Sequence, residues 1–275
     1  MSATATVPVP QGTRAANRAT SDVRVTFGRL LRSEWTKLWT VRSTWWAAPL
    51  TIVVHTGIVW MITFVSTQNS ADIGGAATAV VLSLGVLFSQ LVISVLAILA
   101  VTGEYSTGMI RSTLTAAPTR TPALLAKALV VVAVSFGVGV VTTVLSWAVT
   151  YLVLGSANRI DLSDPTNQRI LAGIPLYLAA IALLAFAIGA LLRHSAAALA
   201  TVLGLLIVLE NILAEIPVAF IEAISPYLPS TAGKQIVMES SADAALGPWQ
   251  GYAVLVAWGL VALTAAAVLL RRRDA

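Results

Sequence analysis

The residues best placed to do chemistry lie in one short stretch: Glu104, Tyr105, Gly108, Met109, Ile110, Arg111 and Leu114. A carboxylate and a guanidinium bracket apolar side chains here, whereas a plain connection would be shorter and more polar. Met and Ile beside a charged pair suit docking into a pocket on a soluble partner. The plainer reading makes Glu104 and Arg111 a solvated ion pair. Ionisable groups inside apolar runs are rarer, and each needs a partner. These are His55, near the middle of one run, and Glu210 with Asn211 beside it in another. A structural hydrogen bond and a place on a substrate path compete for both. Glu210 could steer a cationic substrate or gate an exit.

Two polar stripes run along apolar segments. Ser83, Gln90 and Ser94 share one helical face, and Ser135, Gly139, Thr142 and Ser146 share another. Such faces meet protein or water rather than lipid. They serve either interhelical hydrogen bonds or the lining of a substrate path. No catalytic set can be assembled. There is no phosphate-binding G-x-x-x-x-G-K-[ST], no H-E-x-x-H and no workable Ser/His/Asp arrangement. With no cysteine, thiolate chemistry is excluded, and only 2 histidines argue against a multi-histidine metal centre from one chain. The expectation is a non-enzyme without cofactor or metal.

The elements that position these residues follow from composition. Of 275 residues, 57% are hydrophobic and 11% charged, against about a quarter charged in soluble domains. The net charge of +5 points to membrane topology rather than nucleic acid, because of where it falls. Residues 1–26 read as a disordered tail. Over 27–44, Phe27, Leu30, Leu31, Trp35, Leu38 and Trp39 recur opposite Arg29, Arg32, Lys37 and Arg42. That pattern predicts an amphipathic helix on the membrane surface, an anchor to the lipid bilayer with Trp at headgroup level. Six runs then reach the roughly 20 apolar residues needed to cross: 45–65, 79–101, 122–154, 174–192, 196–216 and 252–270. With the N terminus cytoplasmic, only Arg159, Arg169 and Lys234 of the 17 Lys and Arg fall outside. The expected fold is an all-α membrane protein of six transmembrane helices, both termini cytoplasmic. Its permease domain covers 45–275, with a cytoplasmic loop over 102–121. An apolar outer loop over 217–249, interrupted by Pro217, Pro226 and Pro229, suits short re-entrant helices.

The order Glu104-x3-Gly108-x2-Arg111-x2-Leu114, then Pro118 and Lys127, resembles the segment after the second helix in ABC-2-type ABC transporter permease subunits. The preamble Arg32-Ser33-Glu34-Trp35-Thr36-Lys37-Leu38-Trp39 is similar to the surface helix that opens those subunits. The resemblance covers residues 27–275. It implies a subunit of the cytoplasmic (inner) membrane without its own ATPase, paired with a second permease copy or paralogue. Two separate ATPase subunits would drive it, and an unidentified substrate would be exported. By position, Glu104, Tyr105, Gly108, Met109, Ile110, Arg111 and Leu114 would form the coupling contact with the ATPase, while Trp35, Lys37, Trp39 and Arg42 brace the surface helix. Substrate-path candidates are His55, Ser83, Gln90, Ser94, Thr142, Ser146, Glu210 and Asn211. The competing functions are an ion-coupled carrier and a non-transporting scaffold or immunity component.

Overall fold

The computed structural model describes residues 26–40, 42–68, 75–108, 120–154, 160–214, 216–239 and 244–272, with the backbone alone for 42–44, 75–78, 120 and 214. All regular structure among them is helical. Six segments are long and apolar enough to cross a membrane: Trp45–Gln68, Ala79–Ser106, Thr121–Leu154, Pro165–Leu192, Ser195–Leu213 and Pro248–Arg272. They are called the first to sixth spans below. A separate N-terminal helix, Phe27–Thr40, precedes them, and the next helix begins at Arg42, inside the single element expected over 27–44.

Helices outrun their apolar stretches where local capping favours it. The fourth span starts at Pro165, not near residue 174, because Asp164 caps it by accepting from Thr166 N at 2.8 Å. Proline at the first helical position loses no hydrogen bond there. The second span continues through Ser106 and gives way at Gly108, whose φ of 72° suits glycine. The connection expected over 102–121 is therefore helical at both edges.

The fourth span is the centre of the bundle, 78% buried within the protein against 17% for the fifth span and 22% for the first. It packs on the sixth, second and third spans. Its Ala- and Gly-rich face permits this close approach. A Cβ on Gly139 of the third span would lie 2.6 Å from Pro175 Cα, and one on Gly189 would lie 2.8 Å from Val101.

Two departures from straight helix matter. The second span breaks at Gly85 into Gly75–Leu84 and Val86–Ser106. The His55 ring fills that break, and a Cβ on Gly85 would come within 2.6 Å of it. The fifth span, expected as one continuous helix, has a π-helical turn over Gly204–Val208 before it resumes at Leu209. Such turns mark places where a helix can be re-aimed.

Beyond the fifth span come the short helices Ala219–Ile224 and Pro229–Lys234, with a 3₁₀ turn Ser225–Tyr227 between them. The prolines enforce this segmentation. The last helix is set into the bundle: a Cβ on Gly251 would stand 2.2 Å from Ala232 O, and one on Gly173 would stand 2.7 Å from Ile236 O. Arg169 ties down its end by donating to Gln235 O at 3.0 Å and Ile236 O at 2.8 Å.

Candidate functional site

On the N-terminal helix, Glu34 and Lys37 stand three residues apart and share a face. That face turns inward: Glu34 and Leu38 are buried, while Trp35 and Trp39 are exposed. Beneath it lie the end of the second span, carrying Glu104, and the start of the third, carrying Lys127. The four side chains form one cluster. Lys37 Nζ donates to Glu34 Oε1 at 2.7 Å and to Glu104 Oε1 at 3.3 Å. Lys127 Nζ donates to Glu34 Oε2 at 3.0 Å and also to Glu104 Oε1.

Glu34, Glu104 and Lys127 are 3%, 5% and 8% exposed, a depth at which each charge requires a counter-charge. The cluster is formally neutral, and three separate elements contribute to it. Burial opposes the charge on Lys37, but hydrogen bonding and Coulomb attraction from Glu34, then Glu104, outweigh it and hold its pKa above the ordinary lysine value. The residues also border a cavity of about 180 Å³ whose other walls include Leu38, Leu99, Ala100 and Val130.

Neighbouring contacts draw the remaining connections at this end together. The Arg193 guanidinium lies 5.3 Å from the centre of the Tyr105 ring, so the tight turn between the fourth and fifth spans rests on the second span. Arg193 takes a left-handed φ of 56° to make that turn, and His194 caps the next helix through Ala197 N at 3.3 Å. Arg271 of the sixth span donates to Thr121 Oγ1 at 2.9 Å.

Of the residues singled out by sequence, Lys37 and Glu104 are bonded to each other and Tyr105 supports Arg193. Gly108 ends the described part of the second span. Met109, Ile110, Arg111 and Leu114 lie outside the described residues, as does the side chain of Arg42. Trp35 and Trp39 form an aromatic ladder with Trp45, with ring centres 5.9 and 5.7 Å apart, and Trp45 Nε1 donates to Trp39 O at 2.6 Å.

The candidates within the spans go elsewhere. His55 Nε2 donates to Leu82 O at 3.0 Å, a carbonyl beside the break at Gly85, and Nδ1 lies 2.8 Å from Ser89 Oγ. Ser83, Ser94 and Thr142 return their hydroxyl hydrogens to their own helices at Val80 O, Gln90 O and Val138 O. Ser146 lies 3.3 Å from Thr56 on the first span, and Gln90 accepts from Tyr177 OH at 2.6 Å. All six of these residues are buried; His55, Gln90 and Ser146 bond across helices, whereas Ser83, Ser94 and Thr142 bond within their own. Glu210 accepts from Lys234 through both oxygens at 2.8 Å. Asn211 is exposed and donates to Ile207 O at 2.7 Å.

Glu34, Lys127, Arg193 and Lys234 complete these arrangements and had no site role in the sequence reading. Two signals were available. Lys127 stands inside an apolar run, where a lone cation needs a carboxylate, and the Glu34–Lys37 spacing places a carboxylate on one helix face. Comparison of the chain with known family models and with curated proteins found no match.

Proposed function

We propose that this chain is the membrane-spanning permease subunit of an ATP-driven exporter of the ABC-2 type, worked from the cytoplasmic face by separate ATPase subunits. The observation that carries the reading is the Glu34–Lys37–Glu104–Lys127 cluster. A docked ATPase can move spanning helices only through an element that does not yield. The cluster joins the surface helix to the two spans that flank residues 109–119, so a push on that loop is delivered to the second and third spans and the surface helix together. Arg193 on Tyr105 extends the same connection to the turn between the fourth and fifth spans.

In this scheme the chain hydrolyses nothing and pairs with a second permease. Nucleotide-driven closure of the ATPases shifts the facing bundles between inward and outward access. The fifth span, least covered by its own protein and interrupted by the π-turn, is the element freest to move.

The test is affinity purification of the tagged full chain in mild detergent. An ATPase should come with it, and Glu104→Lys or Met109→Asp should remove that partner. Met109 is not one of the four charged residues, so its loss of partner is separable from loss of the ion cluster. A normal complex and normal transport in both variants would overturn the reading. Transport that follows an ion gradient without nucleotide would replace it with a carrier.

A further inference from the structure

The His55 ring, carried by the first span, touches both halves of the second. Nε2 donates to Leu82 O at 3.0 Å in the leading half, Gly75–Leu84, and Nδ1 lies 2.8 Å from Ser89 Oγ in the trailing half, Val86–Ser106. Gly85 stands between them. A Cβ there would meet three ring atoms at 2.6, 2.7 and 2.8 Å, so the ring occupies space that only glycine leaves open. Gly85 itself keeps a helical φ of −61° and ψ of −22°, so the span parts in its hydrogen bonding rather than in its backbone path. Thr56, the residue after His55, lies 3.3 Å from Ser146 on the third span, which braces the element carrying the ring.

The available hydrogens fix how these groups are wired. Leu82 O can only accept, so Nε2 carries a hydrogen. The ring is fully buried and no carboxylate bonds to it among the described residues. A charge at that depth would be stranded, so Nδ1 bears a lone pair and needs a donor. Ser89 has one hydroxyl hydrogen and two acceptors within reach, Nδ1 and Gly85 O, the latter at 2.8 Å. Gly85 O already receives Phe88 N at 3.3 Å and Ser89 N at 3.1 Å, enough for its two lone pairs. The hydroxyl hydrogen therefore belongs on Nδ1, with Gly85 O as a second seat to which it can turn without becoming unbonded.

We infer that Gly85 is a hinge within the second span, with His55 as its pin and the Ser89 hydroxyl as its catch. While the catch sits on Nδ1, the two halves are held in line. When it drops to Gly85 O, the trailing half turns and the leading half stays on the first span through Leu82. The trailing half carries Glu104 near its far end, so the turn is shared with the ion cluster. Its 21 residues, at about 1.5 Å each, make an arm of about 30 Å, and a turn of about 10° moves the far end by about 5 Å. The hinge is a property of this chain alone and is independent of any ATPase partner.

Two measurements on the full chain in phospholipid vesicles test this. The chain has only 2 histidines and no cysteine, so both ring signals and introduced labels are readily assigned. Nitrogen-15 NMR of labelled histidine, with His194→Gln to separate the two, should show His55 protonated on Nε2 and bare on Nδ1; a hydrogen on Nδ1 would overturn the wiring. The swing is read by double electron–electron resonance between spin labels on cysteines introduced at Ser106, which ends the arm, and at the exposed Val268 of the sixth span. The unaltered chain should give one main distance. Ser89→Ala, which removes the catch, should enlarge a second population about fivefold, the weight of one hydrogen bond. His55→Ala should do so at least as strongly, and adding Gly85→Ala to it should shrink that population about fivefold, because alanine favours unbroken helix over glycine by about that factor. Ser94→Ala, whose hydroxyl bonds only Gln90 O of its own helix, should leave the distances unchanged; a second population there would overturn the catch. One unchanged distance in both Ser89→Ala and His55→Ala, with only a lower unfolding midpoint, would reduce His55 to packing and overturn the hinge. If His55→Ala does not fold, Ser89→Ala set against Ser94→Ala decides by the same distances. Neither measurement uses nucleotide or transport, so a missing ATPase partner leaves this result standing, and the converse also holds.

Discussion

Lys127, within the third span, reaches back to Glu34 on the N-terminal helix at 3.0 Å, and this contact closes the ring of charges begun by Lys37. Opposite charges at such depth add little net stability over an apolar core, but removing one partner strands the other at about 3–5 kcal/mol. Lys127→Met should therefore lower the unfolding midpoint in detergent markedly, and Lys127→Met with Glu34→Gln should recover part of the loss. Additive losses in the double variant would mean that the two residues act separately.

The short helix Pro229–Lys234 has no slack where it meets the sixth span. A methyl on Gly251 would stand 2.2 Å from the Ala232 carbonyl oxygen, whereas one on Gly57 meets nothing within 4 Å. Gly251→Ala must shift backbone and should cost at least about 1–3 kcal/mol, the usual range for overpacking. Gly57→Ala should be neutral or slightly stabilising, since alanine favours helix by about 1 kcal/mol. Thermal unfolding of the two variants side by side measures the contrast, and equal midpoints would refute it.

Apolar run length made six helices legible from sequence, and the two isolated ionisable residues, His55 and Glu210, each meet a partner in the structure. The identity of those partners was not legible. Pairing of Glu210 with Lys234 depends on the segment after the fifth span folding back against the bundle, which hydropathy does not encode. The break at Gly85 escaped notice because glycine is tolerated within apolar helices, and only the His55 ring packed against it explains why the helix parts there. Glu104 was selected for its loop neighbours, yet its contacts are Lys37 and Lys127, brought in by helices distant in sequence.

The cluster gives stability a defined dependence on alkaline pH. Lys37 has a pKa raised above the ordinary 10.5, burial working against its charge and Glu34 and Glu104 in favour of it. A lysine whose folded value is raised contributes fully below its unfolded value and loses that contribution as pH rises through the folded one. Stability should hold from pH 8 to about 10 and fall beyond the lysine range. Lys37→Arg, which stays charged there, should flatten the fall. Equal slopes in unfolding measurements across this range would show that Lys37 is not a source of it.

Glu210 and Lys234 join the thinly covered fifth span to the helix Pro229–Lys234. Lys234 belongs to the helix seated against the sixth span, and Glu210 follows the π-turn of the thinly covered fifth span. Their side chains are 20% and 14% exposed, so the bond is less sheltered than the Glu34 cluster and should contribute about 2 kcal/mol, as charged hydrogen bonds do. Lys234→Met should destabilise more than Lys234→Met with Glu210→Gln, because the single change leaves an unmatched carboxylate. Exchange of the two residues, Glu210→Lys with Lys234→Glu, should restore most of the unfolding midpoint and, in a transport assay, most of the activity. Full activity in Lys234→Met would assign the pair to scaffold alone, whereas lost activity recovered by the exchange would place it in the moving machinery.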